Sequence, residues 1–260
     1  MSDDAAFAAW AESLAPVSAA MLEAARLRAG DRVLDLGAGA GLFASEIAAR
    51  VGDAGAVVAV DPSPSAIAAI GGRPAVPGSA PVRAVLATGE TLRLDEAVDV
   101  VVARNSVMYI ADLDRALGNV RSVLRVGGRF VASVYASLEQ EPFHAIPLAA
   151  VRRRTPLSPP LPEYAAAFTV TADDVVAALV RGGFGEVRAV EVAVRRSYPS
   201  MASLESSLRS SRSLAELIAR LPDAARPTAW TETLDAFARY AGDDGSVVVP
   251  GCQVVIEALA

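Results

Sequence analysis

The stretch Val33-Leu34-Asp35-Leu36-Gly37-Ala38-Gly39-Ala40-Gly41 decides the fold. Its first half is a short apolar run carrying one acid, suited to a buried parallel strand, and its second half alternates glycine with alanine. Glycines at 37, 39 and 41 can take backbone angles that a Cβ forbids, so the chain can turn sharply off the strand end. A ligand can then approach the main chain closely, and a helix that follows aims its free N–H groups at the same place. Two readings stand at this point: a nucleotide cradle, or a tight strand-to-helix turn with no ligand.

Upstream, Phe7, Trp10 and Leu14 recur at helical spacing, and Met21, Leu22 and Ala25 predict a second helix ending near Gly30. Downstream, the pattern predicts a strand over 32–36, a helix over 42–51, a turn at 52–55 and a strand over 56–61. Pro62 to Ser65 lead into a short helix, and a Gly- and Pro-rich connection over 71–81 precedes strands at 82–88 and 97–103. A helix over 112–126 is expected to stop at Gly127-Gly128 before a strand over 129–135. Strands alternating with helices imply βαβ crossovers and a mostly parallel sheet, helices on both faces, with ligands at the carboxyl ends of the strands.

The second half has a different texture. Residues 136–170 read as Pro-rich and irregular, and a helix with Thr171 as its N-cap runs to Gly182. Strands over 186–194 and 253–258 flank a largely helical stretch over 200–240. We expect one domain over 1–260: N-terminal helices over 1–29, a cofactor-binding core over 30–135, and two insertions, 136–170 and 197–248, forming a substrate cap.

Composition fits one large α/β domain, with 260 residues of which 53% are hydrophobic. A net charge of −6 argues against a nucleic-acid surface, and the one tight basic run, Arg152 to Arg154, reads as a solvated face. The single cysteine, Cys252, rules out an internal disulfide, and one histidine, His144, argues against a metal site of the usual ligand types. The start MSDDAAFAAW lacks the pattern of a signal peptide, and no apolar run reaches the roughly 18 residues of a membrane helix. These features predict a soluble, cytoplasmic protein with no membrane or nucleic-acid partner.

Gly39 to Ala44 also satisfies the dinucleotide pattern GxGxxA, and Asp61, about 20 residues past the loop, can accept from both ribose hydroxyls. Asp35 separates the possibilities. An anion there opposes a pyrophosphate and welcomes an ammonium or a sulfonium.

Residues 30 to 135 resemble the class I S-adenosylmethionine-dependent methyltransferases, in the branch of ubiquinone- and menaquinone-type small-molecule enzymes. VLDLGAGAG is similar to the family's first motif and VVAVDPSPSAI to its second. LATGETLRL, VDVVVARNSVMYI and LRVGGRF resemble three later ones, in the right order. The resemblance implies a seven-stranded Rossmann-like methyltransferase sheet of order 3-2-1-4-5-7-6, its last strand antiparallel. It also implies S-adenosylmethionine as cofactor and no metal. Asp35 with the main chain of Gly37, Ala38 and Gly39 would hold the methionine part, and Gly41 would permit close helix packing. Asp61 would bind the ribose diol and Pro62 flank the adenine. Thr88, Gly89 and Glu90 would lie at the adenine edge, and Arg104, Asn105 and Ser106 beside the methionine carbons. Two departures stand out: Thr88 replaces the usual acid at the adenine amino group, and Val126 replaces a proline.

Methyl transfer from a sulfonium is an in-line displacement, so positioning can supply most of the acceleration and a base is optional. His144 and Tyr109 are the candidate catalytic or acceptor-contacting residues, each set against simple packing. Glu139 and Glu141 read as solvated, Asp173-Asp174 as a helix's acidic first turn, and Asp243-Asp244-Gly245 as a turn. Phe143, Leu148, Leu157, Tyr164 and Phe168 suggest a moderately apolar small-molecule acceptor or a self-packed insertion. The rival functions are a cofactor-binding protein using the pocket for regulation or non-methyl chemistry, and an NAD(P)-dependent oxidoreductase.

Overall fold

The computed structural model describes residues 13–159 and 161–260. Phe7 and Trp10, and with them most of the expected first helix, lie outside the described residues. Seven strands form one sheet in the order β3-β2-β1-β4-β5-β7-β6. They are β1 (Arg32–Leu36), β2 (Ala56–Asp61), β3 (Val82–Leu86), β4 (Val98–Arg104), β5 (Leu124–Tyr135), β6 (Gly185–Tyr198) and β7 (Val247–Leu259). Strands β1 to β5 pair in parallel. The last strand runs the other way: Ala136 N–H donates to Cys252 and Gly127 N–H to Ala260, so partner numbers fall as β5 rises.

The helices are α1 (Ala15–Ala25), α2 (Leu42–Val51), α3 (Pro64–Gly71), α4 (Leu113–Val123), α5 (Pro142–Arg152), α6 (Glu163–Ala166), α7 (Ala172–Arg181), α8 (Met201–Ser210), α9 (Arg212–Ile218) and α10 (Arg226–Phe237). None is long and apolar enough to cross a membrane among the described residues.

The chain divides into two compact units. The glycine-loop unit comprises Val17–Val134, Val170–Glu191 and Val254–Ala260. Its core is the β-branched interior of β1, β2 and β4, buried under the apolar stripe Phe43, Ala44, Ile47 and Val51 of α2. The helical unit comprises Tyr135–Thr169 and Val192–Gln253, with the described end of Met1–Pro16. Its core gathers Phe143, Leu148, Tyr164, Leu204, Leu214, Leu217 and Phe237.

Three expectations need correction. The helix before β5 ends at Val123, and Leu124 to Gly128 already belong to the strand. Gly127 takes φ +73°, and Gly127 and Gly128 exchange hydrogen bonds with Ala260, so pairing with the far end of the chain captures this segment. Residues 136–170 are partly helical, with a short turn over 138–140 and helices α5 and α6: Ser137 and Gln140 form a capping box, and Pro142 occupies the first turn of α5, where its missing N–H costs nothing. Strands β6 and β7 also outrun the expected 186–194 and 253–258, each extending through residues of the helical unit.

Pro147 lies inside α5. It cannot donate to the carbonyl of Phe143 four residues earlier, and the hydroxyl of Tyr164 on α6 donates to that oxygen at 2.8 Å instead.

Candidate cofactor site

The glycine loop leaves β1 with Gly37, Gly39 and Gly41 all at positive φ. Gly37 N–H and Ala38 N–H both donate to Val60 O of β2, at 2.7 and 3.0 Å, which folds the loop back across the strand end. A Cβ on Gly37 would collide with the Cβ of Ser106 and lie 2.8 Å from its Oγ. A Cβ on Gly41 would lie 2.9 Å from Ile70 of α3, a less severe contact, whereas among the described residues nothing lies within 4 Å of the Cβ position of Gly39. Two of the three glycines therefore serve close packing, and Gly39 leaves open space.

Asp61 ends β2 and is buried. Its Oδ2 accepts from Gly39 N–H at 2.8 Å and its Oδ1 from Ser63 N–H at 2.9 Å, each oxygen keeping capacity for a further donor. Pro62 beside it is exposed. So is Leu86, the residue paired with Asp61 across β2 and β3, at 58%. An exposed leucine on an otherwise part-buried strand was not singled out in the sequence; its place at the strand's carboxyl end was the available signal.

Asp35 is 1% exposed, and its Oδ2 has no hydrogen-bond partner among the described residues. Burial pushes its pKa up to about 7 against the opposing pull of the Arg104 guanidinium, and the charge of Asp61 adds to the rise. Arg104 ends β4, donates to Ser18 Oγ at 2.7 Å and lies 4.6 Å over the ring of Phe43. Desolvation lowers its pKa despite Asp35 and Glu46 nearby. Asn105 next to it takes φ +52°, a strained conformation for a side-chain-bearing residue. Its Oδ1 accepts from Ser133 Oγ at 3.0 Å, while its buried Nδ2 has no partner among the described residues. Ser106 Oγ donates to Leu36 O at 2.6 Å, tying the β4 end to the β1 end.

Thr88 caps a short turn over Gly89–Thr91, its hydroxyl accepting from Thr91 N–H at 3.3 Å. Gly89 is buried against Ala116, whose Cβ would be 2.9 Å from an added Cβ. Glu90 turns to the next loop, where its Oε1 accepts from the N–H groups of Ala111 and Asp112. Partial burial works against its ionisation, but hydrogen bonds from its own backbone, Thr88, Asp112 and Ala111 outweigh that and lower its pKa.

Asp35, the glycine loop, Asp61 to Ser63, Thr88 to Glu90 and Arg104 to Ser106 all belong to the glycine-loop unit. Tyr109, 44% exposed in a turn after β4, belongs to it as well. His144 belongs to the helical unit. There it is buried among Tyr135, Phe143, Tyr164 and Phe168, with ring centroids 4.6, 5.6, 4.9 and 5.4 Å away. Glu139 is exposed as expected, but Glu141 is fully buried. It meets Arg196 Nη1 at 3.0 Å and His144 Nδ1 at 3.5 Å, and accepts from Cys252 N–H at 3.0 Å. Arg153 and Arg154 pair with Glu232, which spends the basic run locally.

A seven-stranded sheet of this order, with a glycine loop after β1 and acids at the ends of β1 and β2, defines the class I Rossmann-like methyltransferase domain. Residues 27–155 match the family model described as a methyltransferase domain. Among solved structures it is similar to the YcgJ protein from Bacillus subtilis (TM-score 0.56, 18% identity, 93% of this chain and 97% of that one). It is similar too to phosphoethanolamine N-methyltransferase 2 of Haemonchus contortus in complex with S-adenosyl-L-methionine (TM-score 0.55, 15% identity, 96% and 52%). A third likeness is to the (4+2)-cyclase SpnF (TM-score 0.53, 17% identity, 94% and 79%). No curated protein matches the sequence.

Proposed function

We propose that the chain transfers the methyl group of S-adenosylmethionine to a small organic acceptor, as a cytoplasmic enzyme of a biosynthetic route. The observation that carries this reading is the buried carboxylate oxygen of Asp35 beside the glycine loop, which has no partner among the described residues. Such an oxygen is costly unless a cation meets it, and a cationic amino-acid nucleoside supplies one. A nicotinamide dinucleotide would set its pyrophosphate against the same anion.

The residues fit that cofactor. Asp35 takes the cationic end, and the main chain of Gly37, Ala38 and Gly39 borders the open space that Gly39 leaves. Asp61 takes the ribose diol with the capacity its two backbone donors leave it, and exposed Pro62 and Leu86 flank the adenine. Thr88, Gly89 and Glu90 form the adenine edge. With Glu90 turned to Ala111 and Asp112, and the Thr88 hydroxyl occupied by the turn it caps, the backbone supplies that edge. Arg104, Asn105 and Ser106 line the methionine carbons, with Asn105 Nδ2 as a donor in reserve. When bound, the cofactor supplies an electrophilic methyl group on a sulfonium. The protein's own work is to orient the acceptor, for which Tyr109 of the glycine-loop unit is a candidate.

The likeness to a cyclase favours a second reading, in which the same cofactor fold serves non-methyl chemistry. Calorimetry with S-adenosylhomocysteine tests the donor site: the folded protein binds it, and Asp61→Ala weakens binding about tenfold or more through loss of charge-assisted hydrogen bonds. Unchanged affinity in Asp61→Ala would contradict the ribose assignment. Conversion of labelled methyl donor separates methyl transfer from the second reading.

A further inference from the structure

Arg73, exposed just beyond the end of α3, reaches back to the glycine loop although it lies 33 residues after Ala40. Its backbone is set from both sides: its N–H donates to Ile70 O at 3.1 Å, and Pro74 disfavours helical angles at the residue before it. The side chain then forks. Nε donates to Ser45 Oγ on α2 at 2.9 Å, and Nη1 makes a longer contact of 3.5 Å with Ala40 O. Ser45 Oγ in turn donates to Gly41 O at 2.9 Å, its lone pair being free to take the arginine N–H, and Ser45 N–H donates to the same carbonyl at 3.0 Å. One guanidinium therefore governs two successive carbonyls of the loop, Ala40 directly and Gly41 through a hydroxyl. Its Cδ also lies 3.4 Å from where a Cβ on Gly41 would be, so the bare glycine leaves room for the arginine stem.

Those carbonyls control what the loop presents. A trans peptide points its C=O and the next N–H in opposite directions, so holding Ala40 O and Gly41 O fixes the N–H groups of Gly41 and Leu42. Gly39 and Gly41, at φ +53° and +78°, have backbone alternatives that a side chain would remove, and Gly41 opens α2 without a side-chain cap. A loop left to sample those alternatives loses more entropy when a ligand orders it.

We propose that Arg73 is a positioning residue for the nucleoside site: its fork, acting on Ala40 and through Ser45 on Gly41, holds the glycine loop in its binding geometry before the cofactor arrives. This rests on the S-adenosylmethionine reading and adds to it the residue that sets the loop's order. A guanidinium suits the task because its donors diverge within one plane, whereas an ammonium is a single point of charge. The charge itself is not the working part. A cation beside a site for a cationic ligand opposes binding, and this one is exposed and screened. The brace acts on the free chain and touches none of the reacting atoms.

Amide exchange in the free protein reads the brace without any ligand. Gly39 N–H donates to Asp61 Oδ2 and Gly41 N–H to Ala38 O, so both amides report the loop's opening. In Arg73→Met, which keeps a stem and loses the fork, they should exchange about threefold faster or more than in wild type. The melting midpoint should stay near that of wild type, because the side chain removed is exposed. Calorimetry should show S-adenosylhomocysteine bound about three- to tenfold more weakly by this variant. Arg73→Lys keeps the charge and loses the fork, and should resemble Arg73→Met in both measurements. Ser45→Ala removes the middle of the relay, and combining it with Arg73→Met should weaken binding by less than the product of the two single effects.

Unchanged exchange at Gly39 and Gly41, an affinity in Arg73→Met equal to or above that of wild type, or wild-type behaviour in Arg73→Lys overturns the proposal. Single effects that multiply in the double variant show Arg73 and Ser45 acting separately, and overturn the relay. Failure of the folded wild-type protein to bind S-adenosylhomocysteine contradicts the cofactor reading instead, and the exchange measurement on the free chain still decides the brace.

Discussion

Asp35 is the residue whose ionisation most directly couples the cofactor site to pH. Its pKa rises from 3.8 to about 7 on folding, so the folded chain keeps a proton that the unfolded chain has released. Stability from this group is full below the unfolded value and declines as pH climbs toward 7. Asp35→Asn should therefore melt higher than wild type at pH 8, by an amount on the order of a few kcal/mol, and the gap should close below pH 4. Thermal melts at the two pH values check this. A cationic ligand reverses the preference: S-adenosylhomocysteine binding at pH 6 should release a proton, seen as a buffer-dependent heat in calorimetry, and Asp35→Asn should abolish that release. Gly37→Ala adds both a strained φ and a clash with Ser106, and should cost about 1–3 kcal/mol in a denaturant titration. Gly39→Ala, with open space at its Cβ, should cost less. The glycines, Asp35 and Asp61 were legible because they sit within one continuous motif. Glu141 was misread as solvated because its partner, Arg196, is 55 residues away and only folding brings them together.

At the scale of elements, legibility followed locality. Strands β1 and β2 and helix α2 fall on the residues the sequence pattern marks, because glycines or turns punctuate each end. The end of α4 was misplaced because the partner of Gly127 and Gly128 is Ala260, beyond any local window. Helix α5 was missed for a different reason. Its two prolines read as breakers, yet Pro142 sits where an N–H is unneeded, and the carbonyl that Pro147 abandons is taken by Tyr164. This substitution of a side-chain donor for a backbone one can be measured. Tyr164→Phe leaves the Phe143 carbonyl without its donor and should cost about 1–3 kcal/mol. Pro147→Ala restores the N–H, so the double variant should lose less than Tyr164→Phe does alone. A double-mutant cycle by urea denaturation reads the difference, and simple additivity would refute the exchange of donors.

Across the whole molecule, the division into two compact units gives a spatial signature for the cofactor. At a hundred times its Kd, S-adenosylhomocysteine should raise stability by about 2.7 kcal/mol through mass action. Hydrogen exchange should place the added protection first at 36–41, 61–63, 88–90 and 104–106, all within the glycine-loop unit. Protection first in α5 and α8 to α10 would place the nucleoside elsewhere. The class of fold was readable from five ordered motifs, but the packing of Tyr135, Phe143, Tyr164 and Phe168 about His144 was not. Those contacts join the end of β5, helix α5, helix α6 and the turn after it, none of which carries a spaced signature of its own.

The sheet order has a consequence for synthesis of the chain. Strand β7 lies between β5 and β6, so neither of their facing edges finds its partner until the last strand has been made. On a ribosome adding roughly 5–20 residues per second, the β5 edge stays open for several seconds while α5 to α10 emerge. Open edges of apolar strands invite pairing with other chains. A nascent chain arrested before Val247 would hold both edges bare, and its need for chaperones should end abruptly once β7 clears the exit tunnel.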